Sequence, residues 1–136
     1  MSRGVVITTA TNEARLAGLR AWLDDGPSKT RVQLYADARP DLGGASTLTM
    51  LAEIALAKPC GAISGGKLWL RADVPEGSLI QQTGQAQWAR IITAAGALSM
   101  DLDVSVEGGE GQVQLPESTQ LYAGGYVALA LSSAIE

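Results

Sequence analysis

Apolar and polar side chains alternate with a period of two through much of the chain that follows residue 30. The longest such run is Leu98–Glu107, where every second residue is apolar and the residues between them are Ser, Asp or Glu. Successive side chains of a strand point to opposite faces, so this run predicts a strand with one buried and one solvated face. Shorter runs of similar character predict further strands at Arg31–Ala36, Leu48–Ile54, Lys67–Arg71, Ser78–Gln82, Gln85–Ile92, Gly111–Leu115 and Tyr126–Leu131. We expect Gln85–Ile92 to pair with Leu98–Glu107 as a hairpin through Thr93–Ala97.

One stretch near the start of the chain has a helical period instead. Leucines recur at positions 16, 19 and 23, which places them on one face of a helix. We predict a helix over residues 12–25, with Asn12 as its N-cap. The helix should end before Gly26-Pro27, because proline disfavours helical geometry in the residue before it.

Pairs of residues that contain Gly or Pro separate the predicted strands at the spacing typical of sandwiches. We therefore expect a mainly β protein, a two-sheet β-sandwich or jelly-roll-like domain with one N-terminal α-helix. A length of 136 residues suits a single domain. Residues 1–10 are predicted to form an N-terminal arm, and residues 11–136 the domain.

Composition narrows the possible functions. The chain has no histidine, which excludes His-based triads and most catalytic zinc sites. Its net charge of −4 argues against nucleic-acid binding, which depends on Lys and Arg. The single cysteine, Cys60, cannot form an internal disulfide. No apolar run is long enough for a signal peptide or a bilayer span, so we expect a protein made in the cytoplasm and no membrane partner.

The segment Gly61–Lys67 matches the spacing of a phosphate-binding loop, G-x4-G-K, but Leu68 stands where that loop needs a hydroxyl for magnesium. The alternation after Lys67 also predicts a strand where the loop needs a helix. We therefore interpret the segment as a glycine turn that leads into a strand, and we expect no nucleotide cofactor.

Asp101 and Asp103 form a D-x-D pair that begins like a calcium loop. The pattern then fails, because Val106 and Gln112 stand where that loop needs glycine and a carboxylate. The alternation favours a solvated strand face for both aspartates. Accordingly, Leu102→Asp should be severe and Asp101→Ser mild.

The nucleophilic side chains of the chain lack an activating base. Cys60 follows Pro59 before a glycine-rich turn, and with no histidine available a small, semi-buried structural residue is the better interpretation. We expect no catalytic residue, no metal ligand and no cofactor, and hence a non-enzymatic protein.

Four residues are candidates for an interface. Trp69 shares a predicted strand face with Lys67 and Arg71, where it is either an exposed anchor or sugar platform, or a residue packed beneath the helix. Tyr126–Leu131 is short of charge and would dock against a neighbour if it lies at a sheet edge. Tyr126, Ala128 and Ala130 would face outwards on that strand.

Six short segments follow one another in a distinctive order. They are Tyr35 before Ala38-Arg39-Pro40, then Met50–Ile54, Ala62–Gly66, Thr83–Ile91, Met100-Asp101 and Thr119–Gly124. In this succession the chain resembles a group of small proteins encoded among the virion genes of tailed bacteriophages and prophages. The likeness extends over most of the chain after residue 30 and lies in the series rather than in one motif.

The resemblance implies a non-enzymatic structural component of a tailed-phage virion. Two positions stay open, a capsid cement or decoration protein and a tail-associated protein. Its partners would be major capsid or tail proteins and further copies of the chain, and its location the virion. The alternative is a carbohydrate-binding β-sandwich module that uses Trp69 and the face with Asp101 and Asp103. A small hydrolase or metal enzyme is a third possibility.

Overall fold

The computed structural model describes residues 6–39, 41 and 50–136. Within these ranges the protein is mainly β with one helix, which confirms the predicted class. The helix α1 spans Thr9–Asp24. The strands are β1 (Arg31–Tyr35), β2 (Ala52–Ser64), β3 (Lys67–Ala72), β4 (Ser78–Leu79), β5 (Gly84–Gln85), β6 (Trp88–Ile92), β7 (Leu98–Val106), β8 (Val113–Leu115), β9 (Gln120–Leu121), β10 (Tyr126–Val127) and β11 (Ala134–Ile135).

Seven strands form one sheet in the order β11-β3-β2-β1-β6-β7-β8. Neighbours are antiparallel except β7 and β8, which are parallel. Hydrogen bonds also connect the two edges of this sheet, since the Ala134 N–H donates to the Gln112 carbonyl at 2.9 Å. The sheet is therefore nearly closed. Two further sheets have two strands each, β4 with β10 and β5 with β9.

One face of the large sheet carries the apolar core. Val32, Ile54 and Ile91 lie side by side on β1, β2 and β6, and all three are buried. Leu16 and Leu23 of α1 belong to the same apolar cluster. The helix packs chiefly along β2 and β3, so the leucine stripe found in the sequence is what attaches it to the sheet.

The helix begins three residues earlier than predicted. Its N-cap is Thr8, whose Oγ1 accepts a hydrogen bond from the Thr11 N–H at 3.1 Å. Asn12 was the wrong choice of cap, because its side-chain amide instead donates to the Gly66 carbonyl at 2.8 Å, across the fold. Thr9 and Ala10 consequently belong to α1 and not to an N-terminal arm.

The predicted strands at Arg31–Ala36, Lys67–Arg71 and Leu98–Glu107 are confirmed with small changes of boundary. The hairpin of β6 and β7 is also present. The alternation of burial along β7 holds only in part. Leu102, at the centre, is buried, but Leu98 and Val106 are partly exposed because they adjoin the turns at the two ends of the strand.

Other predicted strands are shorter or divided. Leu48 and Thr49 lie outside the described residues, and β2 starts at Ala52. The predicted strand Gln85–Ile92 is divided between β5 and β6, and Tyr126–Leu131 contains only β10. The predictions for Ser78–Gln82 and Gly111–Leu115 shorten to β4 and β8. In these segments the chain bends to join different sheets, which a periodic pattern does not reveal.

Candidate functional site

An open groove with a volume of about 410 Å³ lies beside the small sheet of β4 and β10. We call it the tyrosine groove. It is lined by residues 115–118, 120–122 and 125–128, together with Glu76 and Ile80. Its buried apolar lining consists of Ile80, Leu115, Leu121 and Val127. The groove therefore has apolar surface that belongs to the protein core.

Two exposed aromatic residues line the groove. Tyr122 is 66% exposed and Tyr126 is 72% exposed. Leu79, the cross-strand neighbour of Tyr126, is also exposed. Exposed Tyr and Leu side chains that gather beside a concave surface are typical of interaction sites.

A tight turn fixes the two tyrosines. The Gly125 N–H donates to the Tyr122 carbonyl at 3.0 Å, and Gly124 has a φ of +90°, which glycine adopts readily. The turn is attached to the end of β4 by two hydrogen bonds, from the Gly124 N–H to the Ile80 carbonyl at 2.9 Å and from the Ile80 N–H to the Gly125 carbonyl at 2.8 Å. The tyrosines are thus presented on ordered backbone.

Two carboxylates, Glu76 and Glu117, also line the groove, and both residues are exposed. None of the lining residues is Lys or Arg. In the described part of the chain, neither carboxylate has a cation within ion-pair distance. The groove therefore combines aromatic surface with unneutralised negative charge.

The structure separates the four predicted interface residues. Tyr126 and Ala128 line the tyrosine groove. Ala130 does not face outwards, because it is only 4% exposed and its N–H donates to the Gln114 carbonyl at 2.8 Å. Leu131, predicted to face inwards, is exposed instead. The period of two ends after Val127, where β10 ends. Leu129 is buried as the alternation predicted, but the faces assigned to Ala130 and Leu131 were wrong.

Trp69 lies on β3, away from the groove. It is half-buried, and its Nε1 donates to the Ser64 carbonyl at 3.0 Å. The Lys67 ammonium lies 5.4 Å from the centre of its ring, as the shared strand face predicted. Trp69 therefore contacts its own strand and the adjoining turn, and it does not contribute to the tyrosine groove.

The two aspartates of the D-x-D pair have different surroundings. Asp103 is exposed, and its Oδ1 lies 3.1 Å from Nη1 of Arg39. The Asp101 side chain is only 5% exposed, and Arg90 donates to both its oxygens, from Nε at 2.8 Å and from a terminal nitrogen at 3.2 Å. The hydrogen bonds that Arg90 donates to Asp101 raise the pKa of the guanidinium, although its burial acts in the opposite direction. The expectation of a solvated face was thus wrong for Asp101, and the expectation that Asp101→Ser is mild loses its structural basis.

Aromatic rings cover one side of this ion pair. The Arg90 guanidinium lies 5.0 Å from the centre of the Trp88 ring, and Trp88 stacks on Tyr35 with their centres 4.6 Å apart. Trp88 is fully buried. The hairpin predicted for β6 and β7 could have indicated the Arg90–Asp101 ion pair, because the register of the hairpin places these two residues opposite each other.

The segment Gly61–Lys67 forms a hairpin, which confirms the predicted turn into a strand. Gly65 and Gly66, with φ of +60° and +78°, connect antiparallel β2 and β3. The Gly66 N–H donates to Glu13 of α1 at 3.1 Å. A phosphate-binding loop leads into a helix, whereas this segment leads into β3, and its Gly66 N–H is already bonded to Glu13.

Cys60 is fully buried, as a structural residue would be. Its backbone N–H donates to the Asp24 carboxylate at 3.1 Å. Burial, reinforced by the negative charge of Asp24, raises the pKa of the thiol to about 12. The thiol is consequently protonated at neutral pH and lacks the reactivity of a thiolate.

Across the described residues, no three His, Cys, Asp or Glu side chains are grouped closely enough to hold a metal ion. No helix there is long and apolar enough to cross a bilayer. The chain matches no protein-family model, and it has no significant similarity to a curated protein or to a solved structure.

Proposed function

We propose that this protein is a non-enzymatic structural component of a tailed-phage virion, either a capsid decoration protein or a tail-associated protein. The tyrosine groove is the observation that carries the proposal. It is the surface through which the protein would contact a major capsid or tail protein.

The chemistry of the groove suits a protein contact. Tyrosine is enriched at protein interfaces because its ring buries a large area while its hydroxyl remains able to form hydrogen bonds. Tyr122, Tyr126 and Leu79 together present such a surface, and ordered backbone holds it. An ordered backbone at the contact surface lowers the conformational entropy lost on binding, which favours affinity.

The position of the groove on a single packed core also supports a structural role. Many copies attached to a repeating lattice gain avidity, so each individual contact can be weak. The ordered resemblance from Tyr35 to Gly124 supports the assignment to a tailed phage. A division of the nearly closed sheet into the two layers of a sandwich or jelly roll belongs to the same proposal.

The carbohydrate-binding alternative has less support from the residues on which it depended. Both carboxylate oxygens of Asp101 accept hydrogen bonds from Arg90, so they are engaged within the fold. Trp69 is only half-exposed, and its indole N–H is bonded to the Ser64 carbonyl. We therefore favour the structural role.

Incorporation into particles tests the proposal. We expect mass spectrometry of purified virions of the phage that carries this gene to detect the protein in multiple copies. The double variant Tyr122→Ser/Tyr126→Ser should reduce its copy number by about tenfold or more, because it removes the aromatic contact surface.

Trp22→Ser is the matched control, since Trp22 is an exposed aromatic residue on α1, outside the groove. This variant should be incorporated normally. Virions that contain no trace of the protein would contradict the structural role. Virions that incorporate the double tyrosine variant normally would show that the groove is not the contact surface.

A further inference from the structure

We propose that the partner segment in the tyrosine groove presents an arginine or lysine side chain next to an apolar one. This inference rests on the proposed function, because it specifies the chemistry of the partner at the same site. It follows from the combination of an apolar floor, aromatic residues and unpaired carboxylates.

The apolar lining of the groove favours an apolar side chain in the partner segment. Ile80, Leu121 and Val127 line the groove and belong to the buried core, so an inserted side chain would meet an apolar surface. The volume of about 410 Å³ is within the range of pockets that hold small ligands. It therefore suits a few side chains of a partner segment.

The negative charge of the groove favours a cationic side chain in the partner segment. In the described structure, some carboxylates, such as Asp73, Asp101 and Glu136, are paired with Lys or Arg within the chain, whereas others, such as the exposed Glu107 and Glu110, are not. Glu76 and Glu117 have no such partner, although both line the same groove. A cation from outside would be attracted by both carboxylates, and the attraction would strengthen as the contact excludes water.

The aromatic residues favour the same partner. The face of a tyrosine ring attracts cations, and a guanidinium can stack on a ring while it donates hydrogen bonds to a carboxylate. Tyr122 and Tyr126 supply the rings, and Glu76 and Glu117 the acceptors. The same carboxylates would repel a phosphate group, which argues against nucleic acid in this groove.

Short peptides test this chemistry without the virion. We would titrate the labelled protein with the blocked peptide acetyl-Leu-Arg-Leu-amide and follow backbone chemical shifts by NMR. The control peptide has citrulline in place of arginine, which keeps the shape and removes the charge. We expect shifts confined to groove residues, and about tenfold weaker binding of the citrulline peptide.

Variants of the protein provide a second test of the same binding. Glu76→Gln/Glu117→Gln should weaken binding of the arginine peptide by about tenfold. Glu110→Gln, which removes an exposed carboxylate outside the groove, should leave it unchanged. Both glutamates of the double variant are exposed, so folding should be preserved.

Several results would overturn the proposal. They are equal binding of the two peptides, absence of groove shifts at millimolar arginine peptide, and binding that survives the double glutamine change. Groove shifts with an N-acetylglucosamine oligosaccharide but not with the arginine peptide would assign the groove to a glycan instead. Each of these would leave the virion role standing if mass spectrometry detects the protein in particles, so the two proposals fail separately.

Discussion

Asp101 and Asp103 lie two residues apart on the same face of β7, but only Asp103 is solvated. Across the strand pair, β6 places Arg90 opposite Asp101 and Trp88 opposite Asp103. The Trp88 ring lies against the Arg90 guanidinium and helps to exclude water from the Asp101 pair. The burial of each carboxylate is therefore determined by its surroundings on the sheet as well as by its position on the strand.

The difference in burial between Asp101 and Asp103 leads to a prediction about the stability of two variants. Asp101→Ser removes the carboxylate that the nearly buried Arg90 contacts, and breaking a buried ion pair in this way is strongly destabilising. We expect the free energy of unfolding, measured by urea denaturation, to fall by about 3 kcal/mol. Asp103→Ser is the matched control, because its 64% exposed side chain should change stability by less than about 0.5 kcal/mol. Equal midpoints for the two variants would contradict a buried pair.

The sequence contained part of this information. The alternation of Leu98–Glu107 correctly placed both aspartates on the face opposite Leu102. The predicted hairpin could also have suggested that Arg90 lies across from Asp101. The stacked rings of Tyr35 and Trp88 could not be predicted from one strand, because Tyr35 comes from β1, which lies on the other side of β6.

At the scale of elements, polar side chains close the sheet between β8 and β11. The Gln114 N–H donates to Ser133 Oγ at 2.9 Å, and this hydroxyl lies 3.2 Å from the Gln114 carbonyl oxygen, to which it donates. The side-chain amide of Gln114 donates to the carbonyls of Gly109 and Gly111. A serine side chain thus takes the place of a backbone partner at the point where the sheet closes.

We predict that Ser133→Ala weakens this closure, although the backbone bond from the Ala134 N–H to the Gln112 carbonyl remains. Ser133 is fully buried, so the change would leave the Gln114 N–H buried without its acceptor, at a cost of about 1–3 kcal/mol. Hydrogen exchange followed by mass spectrometry should show faster exchange in β8, while β1 at the centre of the sheet is little affected. Ser99→Ala, a change of the same residue type on β7, should leave exchange in β8 unchanged. Unaltered protection of β8 in Ser133→Ala would contradict the role of this hydroxyl.

The elements that the sequence predicted well are those whose pattern is local. Period-two alternation located β1, β3 and β7, and the leucine spacing located α1. The start of α1 was misplaced because Asn is a residue type that commonly caps helices, and only the fold shows that the Asn12 side chain donates to the Gly66 carbonyl instead. Two-residue strands such as β5 and β9 depend on partners far along the chain, which no local pattern reveals.

At the scale of the whole molecule, topology assembles the tyrosine groove from separate segments. Two of the interface candidates that the absence of charge in Tyr126–Leu131 suggested, Tyr126 and Ala128, line this groove. Sequence reasoning missed Tyr122, Glu76 and Glu117 as members of the same site. They lie on three different loops, which follow β3, β8 and β9. The pairing of β4 with β10 brings residue 76 close to residue 126.

The helix and the sheet share one apolar cluster, which has a consequence for unfolding. Leu16 and Leu23 pack with Leu68 and Leu70 of the sheet, and the Ala94 N–H donates to the Leu23 carbonyl at 2.8 Å. Detaching α1 would therefore expose part of the sheet core to water. Since burial of these side chains is the main source of stability, the helix and sheet should unfold together.

We predict a single cooperative unfolding transition, as expected for one domain that includes α1. Far-ultraviolet circular dichroism reports on backbone structure, and tryptophan fluorescence reports on Trp22, Trp69 and Trp88, which lie on α1, β3 and β6. The two signals should change at the same urea concentration.

Leu23→Ala should lower both midpoints together, with a loss of about 3 kcal/mol in the free energy of unfolding, because it creates a cavity where helix and sheet meet. The exposed helix change Ala17→Ser should alter stability by less than about 0.5 kcal/mol. If Leu23→Ala instead separates the two signals, so that helical signal is lost while the sheet stays folded, α1 is an independent attachment and not part of the domain core.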